Sequence, residues 1–161
     1  MAADQREQMT RLGLYGVIPF IAAAVALWIS PVLLPQYVAL DFHQLALIYG
    51  GVVVVYLSGI EAGALLTIQT KHTRSFLPGM MVTLAAFLVM LPSGTFFFAF
   101  GAAWRHAFIL VLLIYLLLRD LRSVKAGLAP VWYGNLRTRV TLWMSLSIML
   151  IIMRLFVWGF Y

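Results

Sequence analysis

The sequence contains an apolar stretch, YGGVVVVYLSGIEAGALLTIQ at residues 49–69, that is long enough to cross a membrane. About 20 apolar residues, each rising about 1.5 Å, span the hydrocarbon of a bilayer. Because no water is available there, the backbone must satisfy its own hydrogen bonds, and a lone segment can do so only as an α-helix. The stretch therefore predicts a membrane-spanning helix.

The composition extends this prediction to the whole chain. Of its 161 residues, 64% are hydrophobic and only 10% are charged, whereas a soluble domain has about 25% charged residues. The absence of cysteine excludes disulfides and thiolate-bound metal sites. The formal net charge of +6 comes from residues in short gaps between apolar runs, where they orient a membrane protein, so we expect no nucleic-acid partner.

Prolines and short polar gaps divide the chain into five predicted spans within one domain. We expect an all-α integral membrane bundle, preceded by a polar tail over residues 1–11 and containing one substantial polar connection over residues 119–139. Residues 36–42 are predicted to form a short loop. The predicted spans are residues 12–34, 43–68, 75–91, 96–118 and 140–158.

The basic residues predict the orientation of this bundle. The N-terminal tail, the turn at residues 71–74 and the connection at residues 119–139 contain Lys and Arg, whereas the first and third gaps contain none. The positive-inside rule then predicts a cytoplasmic N-terminus and a C-terminus outside. We expect a multi-pass protein of a bacterial inner membrane.

Gly59 and Gly63 lie one turn apart on one helix face, where missing side chains let another helix approach closely. Glu61 lies between them but points to the opposite side. A carboxylate at that depth is predicted to be protonated, hydrogen-bonded to Ser58 or another helix, or facing an aqueous crevice. It is either a structural group or the site of a proton or cation carrier.

Two arginines and two histidines also fall inside predicted spans or at their ends. Arg105 and Arg154 are predicted to lie near the outer surface and to contact lipid phosphate or a helix interface, with Asp41 as the better-placed anion for either. His43 and His106 lie on neighbouring helices at that side, and a haem or quinone site is an alternative there. We expect no metal site and no resident cofactor. No catalytic motif is present, so the sequence favours a non-enzymatic protein.

The connection at residues 119–139 combines basic residues with aromatic ones. That combination suits an anionic membrane surface, at about 1 kcal/mol per basic residue, or the cytoplasmic face of a partner protein. The predicted contact residues for membrane lipids or such a partner are Arg119, Asp120, Arg122, Lys125, Trp132, Tyr133, Arg137 and Arg139.

Several segments follow one another in a familiar order: LGLYGVIPF, YGGVVVVYLSGIEAG, the Leu77-Pro78 helix start, and Asp120 followed by GLAPVWYGNLRTRVT. Together they resemble the transmembrane protein 69-like family, small multi-span proteins of bacteria and mitochondria. In that family the position of Glu61 is more often histidine and that of Ala62 is often tryptophan, so this chain departs at both. The resemblance implies a five-helix inner-membrane protein without an established activity. It also implies fold-defining positions at Gly59, Gly63, Asp120, Gly127, Pro130, Trp132, Tyr133 and Arg137.

The leading hypothesis is an accessory or assembly subunit of a larger respiratory or photosynthetic membrane complex, working by helix–helix association with other subunits or with copies of itself. The first alternative is a small oligomeric proton-coupled carrier using Glu61. The second is a haem- or quinone-binding protein using His43 and His106.

Overall fold

A computed structural model of the chain describes residues 3–67, 76–92 and 100–159. Within these ranges the chain forms α-helices joined by short turns, without β-strands. The all-helical prediction is therefore confirmed for the described residues. The helices are α1 (Ala3–Tyr15), α2 (Ile18–Ile29), α3 (Gln36–Thr67), α4 (Leu77–Met90), α5 (Ala102–Lys125) and α6 (Val131–Val157).

Three segments are long and apolar enough to cross a membrane: Arg6–Ile29, Gln36–Gly63 and Val131–Val157. Helix α4 is apolar but has only 14 residues. Many large apolar side chains point outward, such as Val111 with 61% and Met149 with 52% of its surface exposed. Exposed apolar side chains in such numbers suit a lipid environment and not water. The described residues thus contain three candidate membrane spans, as expected for a membrane protein.

The first predicted span is divided into two helices. The predicted polar tail is helical from Ala3, and a turn at Gly16 and Val17 separates α1 from α2. Pro19 lies in the first turn of α2, where its missing N–H replaces no intrahelical hydrogen bond. Tyr49 of α3 donates its hydroxyl hydrogen to the Gly16 carbonyl at 3.0 Å. The break is thus held by a contact from another helix.

Helix α3 begins seven residues earlier than predicted, so the expected loop at residues 36–42 is wrong. Its 32 residues make a helix about 48 Å long, longer than the hydrocarbon thickness of about 30 Å. The helix starts directly after Pro35, because a proline readily precedes a first turn but cannot continue one. The predicted turns at residues 71–74 and 92–95 fall wholly or mostly outside the described residues.

The predicted polar connection at residues 119–139 is also wrong, because most of it is helical. Helix α5 continues to Lys125, and α6 already begins at Val131. Gly127 ends α5 with a φ of 71°, and the N–H of Leu128 donates to the Ser123 carbonyl at 3.0 Å. This is the Schellman arrangement that favours glycine. Charged residues at the ends of both helices made this region look like a loop in the sequence.

Side-chain contacts show that, from α2 to α6, successive helices run in opposite directions. Arg105, near the start of α5, contacts the end of α4, and Arg154, near the end of α6, contacts the end of α2. At the other end of the bundle, Ser58 of α3 donates its hydroxyl hydrogen to the carbonyl of Gly79, at the start of α4, at 2.9 Å. The core between the helices is filled by large apolar side chains, including Phe20, Leu27, Leu47, Ile109, Leu113, Ile148 and Ile151.

The close helix contacts use other glycines than those predicted. A β-carbon added at Gly50 would lie 3.0 Å from Ile109, and one at Gly51 would overlap Met90. By contrast, added β-carbons at Gly59 and Gly63 would meet nothing within 4 Å. Within the described residues, α3 therefore packs tightly at Gly50 and Gly51, and Gly59 and Gly63 remain on its exposed side.

Candidate functional site

Glu61 is paired with a residue of a neighbouring helix. Arg119 of α5 places its Nη2 2.8 Å from Glu61 Oε1, and the two side chains are 14% and 9% exposed. The Arg119 guanidinium also lies over the Tyr115 ring, 5.9 Å from its centroid. Of the environments predicted for Glu61, contact with another helix is the one the structure has. The sequence does not indicate this partner, because its charged residues predict that Arg119 lies in a connection outside the bundle.

A second ion pair lies close by. Arg137 of α6 donates its Nε hydrogen to Asp120 Oδ2 at 2.6 Å, and both side chains are almost fully buried. Tyr133 forms a side-chain hydrogen bond with Asp120. Tyr133 also interacts electrostatically with Glu61, which shows that the two ion pairs are near each other. We call these five residues, Glu61, Arg119, Asp120, Tyr133 and Arg137, the charge cluster.

The charge cluster joins three helices at one end of the bundle. Its two carboxylates face two guanidinium groups, so its formal charges cancel. Removing one partner from a buried ion pair leaves an uncompensated charge, which destabilises a fold by about 3–5 kcal/mol. The cluster therefore fixes the packing of α3, α5 and α6. Because Glu61 is paired with an arginine, it is also poorly suited to releasing and rebinding protons.

Of the eight predicted lipid or partner contacts, four belong to the charge cluster and are engaged inside the bundle. Arg122, Lys125 and Arg139 are exposed. Trp132 is partly buried, and the Arg6 guanidinium lies 5.6 Å from the centroid of its ring. The exposed basic surface is thus smaller than predicted and lies beside the charge cluster.

Arg105 closes the end of α4. Its Nε hydrogen is donated to the Val89 carbonyl at 2.9 Å and its Nη2 hydrogen to the Leu91 carbonyl at 2.5 Å. The last carbonyls of a helix have no intrahelical partner and carry partial negative charge. Arg105 supplies both the donors and the positive charge that this helix end requires.

Arg154 closes the end of α2 in the same way. Its Nε hydrogen is donated to the Leu27 carbonyl at 3.1 Å and its Nη2 hydrogen to the Ser30 carbonyl at 2.6 Å. Its guanidinium also stacks over Trp158 and Trp28, 4.8 and 5.5 Å from their ring centroids. Lipid phosphate and a helix interface were the two contacts expected for Arg105 and Arg154. In the structure both arginines contact a neighbouring helix. No ion pair joins either arginine to Asp41, although all three residues are described.

His43 and His106 meet between α3 and α5, at the end of the bundle where the arginines lie. Their ring centroids are 5.6 Å apart and the ring planes are tilted by 54°. His106 is 1% exposed, and its Nδ1 lies 2.9 Å from the Ala102 carbonyl. We call these two residues the histidine pair. The predicted proximity of the two imidazoles is present, but the rings contact each other and leave no space for a haem macrocycle between them.

Gly59 and Gly63 lie on an outward face of α3. Leu45, Val52 and Tyr56 occupy the same face and are 62%, 52% and 65% exposed. The spacings of seven, four, three and four residues between successive positions place them along one stripe of the helix. No described residue covers the glycine end of this stripe.

One family's sequence model matches residues 5–153; the family is described as protein of unknown function (DUF3429). No curated protein matches the chain, and no solved structure does. The match covers nearly the whole chain but brings no activity. It does not confirm the resemblance to the transmembrane protein 69-like family, which stays a prediction.

Proposed function

Since the chain belongs to the family of proteins of unknown function DUF3429, we propose its role from its own geometry. The protein is a non-enzymatic accessory or assembly subunit of a larger membrane complex, and it binds another integral membrane protein through the face of α3 that contains Gly59 and Gly63. The observation that carries this proposal is that both glycines are exposed on a long apolar helix.

Exposed glycines in a helix have a cost that needs an explanation. Each destabilises a helix interior by about 0.8–1.0 kcal/mol relative to alanine. Where two helices cross in a membrane, glycine lets their backbones come close, and the resulting packing can stabilise the pair by more than this cost. Apolar burial alone does not drive helix association in lipid. A partner helix on this face would use both glycines, whereas lipid gains nothing from them.

The test replaces Gly59 with leucine. Because a side chain at Gly59 meets nothing in this chain, Gly59→Leu is expected to fold normally but to lose the partner. We would pull the tagged protein from native membranes in mild detergent and identify stoichiometric partners by mass spectrometry. Val111→Leu is the matched control, because it enlarges an exposed apolar residue on α5.

A partner retained by the control and lost from Gly59→Leu supports the proposal. Equal retention by both variants contradicts it, as does a wild-type protein that migrates as a monomer without partners. If the wild-type protein is a homo-oligomer and Gly59→Leu dissociates it, the proposed interface on α3 is supported. The partner is then a second copy of this chain and not a subunit of a larger complex.

The carrier alternative requires the Glu61–Arg119 pair to open during transport. It is tested with protein reconstituted into liposomes and a pH jump. A proton-coupled flux that Glu61→Gln abolishes, and that Asp41→Asn on an exposed part of α3 leaves intact, would favour the carrier. The absence of flux from the wild-type protein would remove this alternative.

For the topology we propose five spans in a bacterial inner membrane, with the N-terminus in the cytoplasm and the C-terminus outside. The distribution of Lys and Arg supports this arrangement. The chain contains no cysteine, so single cysteines can be labelled without background. In spheroplasts, a membrane-impermeant maleimide should label Leu33→Cys directly and Lys125→Cys only after permeabilisation. The reverse pattern would invert the orientation.

A further inference from the structure

The end of the bundle that contains the charge cluster has an excess of positive charge. The cluster itself is formally neutral, and Glu7 is paired with Arg11 at 2.6 Å. Of the two remaining acids, Asp41 lies at the other end of the bundle and Asp4 lies near the start of α1. Four exposed basic side chains at this end form no ion pair with any described residue: Arg6, Arg122, Lys125 and Arg139.

Arg6 and Arg139 lie on the same side of the bundle, where α1 packs along α6. A β-carbon added at Gly13 of α1 would lie 3.5 Å from Val140 of α6. The Arg6 guanidinium lies 5.6 Å from the centroid of the Trp132 ring. Trp132 and Arg139 are seven residues apart on α6, which is almost two full turns and about 10.5 Å, so their side chains leave the helix in nearly the same direction. Two guanidinium groups and an aromatic ring are thus presented together at the start of α6.

The same face of α6 continues as an apolar surface. It is formed by large exposed side chains that follow Arg139 at spacings of three or four residues: Leu142, Leu146, Met149 and Met153. From Leu142 to Met153 this surface is about 16.5 Å long at the helical rise. The hydrocarbon of one bilayer leaflet is about 15 Å thick, half of the whole. The face is therefore positive at one end and apolar over the depth of one leaflet.

From this arrangement we propose that the protein binds one anionic phospholipid along α6, with its headgroup at Arg6 and Arg139 and its acyl chains on the apolar face of the helix. Guanidinium groups form strong charge-assisted hydrogen bonds with phosphate, and tryptophan is enriched at the level of the headgroups. An acidic protein surface would match the positive end only, whereas a lipid matches both parts of the face. The site uses no residue of α3, so its test is independent of the proposed partner interface.

The experiment uses the whole chain, purified in detergent and washed free of lipid. Native mass spectrometry follows the binding of phosphatidylglycerol and of phosphatidylcholine with the same acyl chains. We expect one tightly bound phosphatidylglycerol per chain, with an affinity at least fivefold above that of phosphatidylcholine. Arg6→Gln and Arg139→Gln should each weaken phosphatidylglycerol binding about fivefold, which corresponds to the contribution of about 1 kcal/mol from one basic residue near an anionic surface. The binding of phosphatidylcholine should not change.

Arg122→Gln is the matched control, because it removes the same charge from the same end of the bundle. Asp120 faces α6 through its ion pair with Arg137. Arg122 is two residues further along α5 and therefore points about 200° away from Asp120. Arg122→Gln should bind phosphatidylglycerol as the wild type does. The side chains of Arg6, Arg122 and Arg139 are all exposed, so we expect all three variants to keep the fold, which far-UV circular dichroism checks.

Three results would overturn the site. The first is an equal affinity of the wild-type protein for the two lipids. The second is a loss in Arg122→Gln as large as that in the other two variants, which would show a diffuse attraction by the whole positive end. The third is displacement of the lipid by glycerol phosphate or by polyglutamate at a matched concentration, which would show a site for a soluble anion or for an acidic protein.

Discussion

Replacing Asp120 with alanine should destabilise the fold more than any surface substitution. Asp120 is 9% and Arg137 is 5% exposed, and the hydrogen bond between them is 2.6 Å long. Without the carboxylate, a buried guanidinium keeps its charge but loses its counter-ion, and Tyr133 loses a hydrogen-bond partner. The loss expected for breaking one side of a buried pair is about 3–5 kcal/mol.

That loss corresponds to a change of about two to three and a half powers of ten in the unfolding equilibrium, at 1.4 kcal/mol per power of ten. Equilibrium unfolding in mixed micelles of dodecyl maltoside and dodecyl sulfate, followed by far-UV circular dichroism, measures it. Arg139→Ala is the matched control. Arg139 lies two residues from Arg137 but is exposed, so its loss should stay within about 0.5 kcal/mol.

A double variant separates the loss of the pair from the penalty of the orphaned charge. Asp120→Leu combined with Arg137→Met replaces both ions with apolar groups, and such replacements are often neutral or stabilising. The double variant should therefore regain most of the stability that Asp120→Leu loses alone. The reasoning is refuted if the double variant is as unstable as Asp120→Leu alone. It is also refuted if Asp120→Ala lowers the free energy of unfolding no more than Arg139→Ala does.

Three further substitutions test the packing with the same unfolding assay. Gly50→Leu should lose about 1–3 kcal/mol by overpacking against its neighbours, whereas Gly59→Leu should lose nothing; similar losses would show that Gly59 is also packed. Arg154→Gln removes the donors that close α2 and should lose about 1–3 kcal/mol, with the exposed Lys125→Gln unchanged as its control. Tyr133→Phe should lower the free energy of unfolding by about 1 kcal/mol. An unchanged midpoint of the unfolding transition would mean that the Tyr133 hydroxyl does not stabilise the charge cluster.

The helical class and the apolar segments were predictable because hydropathy reports them directly. Most of the apolar part of each predicted span is helical where the structure describes it, apart from the turn at Gly16 and Val17 and a few residues at the span ends. The ends of the helices were not predictable, because a helix that extends beyond the hydrocarbon is polar there and reads as a loop. Residues 119–139 are the clearest case, since the charges that suggested a solvated connection belong to two packed helices.

The same error concealed the partners of the buried charges. The sequence shows that Glu61 is an unusual intramembrane carboxylate, but its charge pattern predicts that the partner, Arg119, lies outside the bundle. Extending the helical periodicity of α5 to Lys125 would have brought Arg119 within reach. The prediction for the glycines differs from the structure for another reason. A spacing of four residues identifies a helix face of small residues but does not show whether another helix packs on it. Only the structure distinguishes Gly50, which is packed, from Gly59, which is exposed.

The length of α3 has a mechanical consequence. His43 and Glu61 are 18 residues apart, which is about five full turns and about 27 Å at the helical rise, so both side chains leave α3 in the same direction. Each meets a residue of α5, through the ring contact with His106 and the ion pair with Arg119. Two fixed points this far apart prevent α3 from sliding or turning against α5 without breaking both contacts. The two helices therefore behave as one rigid unit, and any conformational change of the protein has to occur in the helices around them.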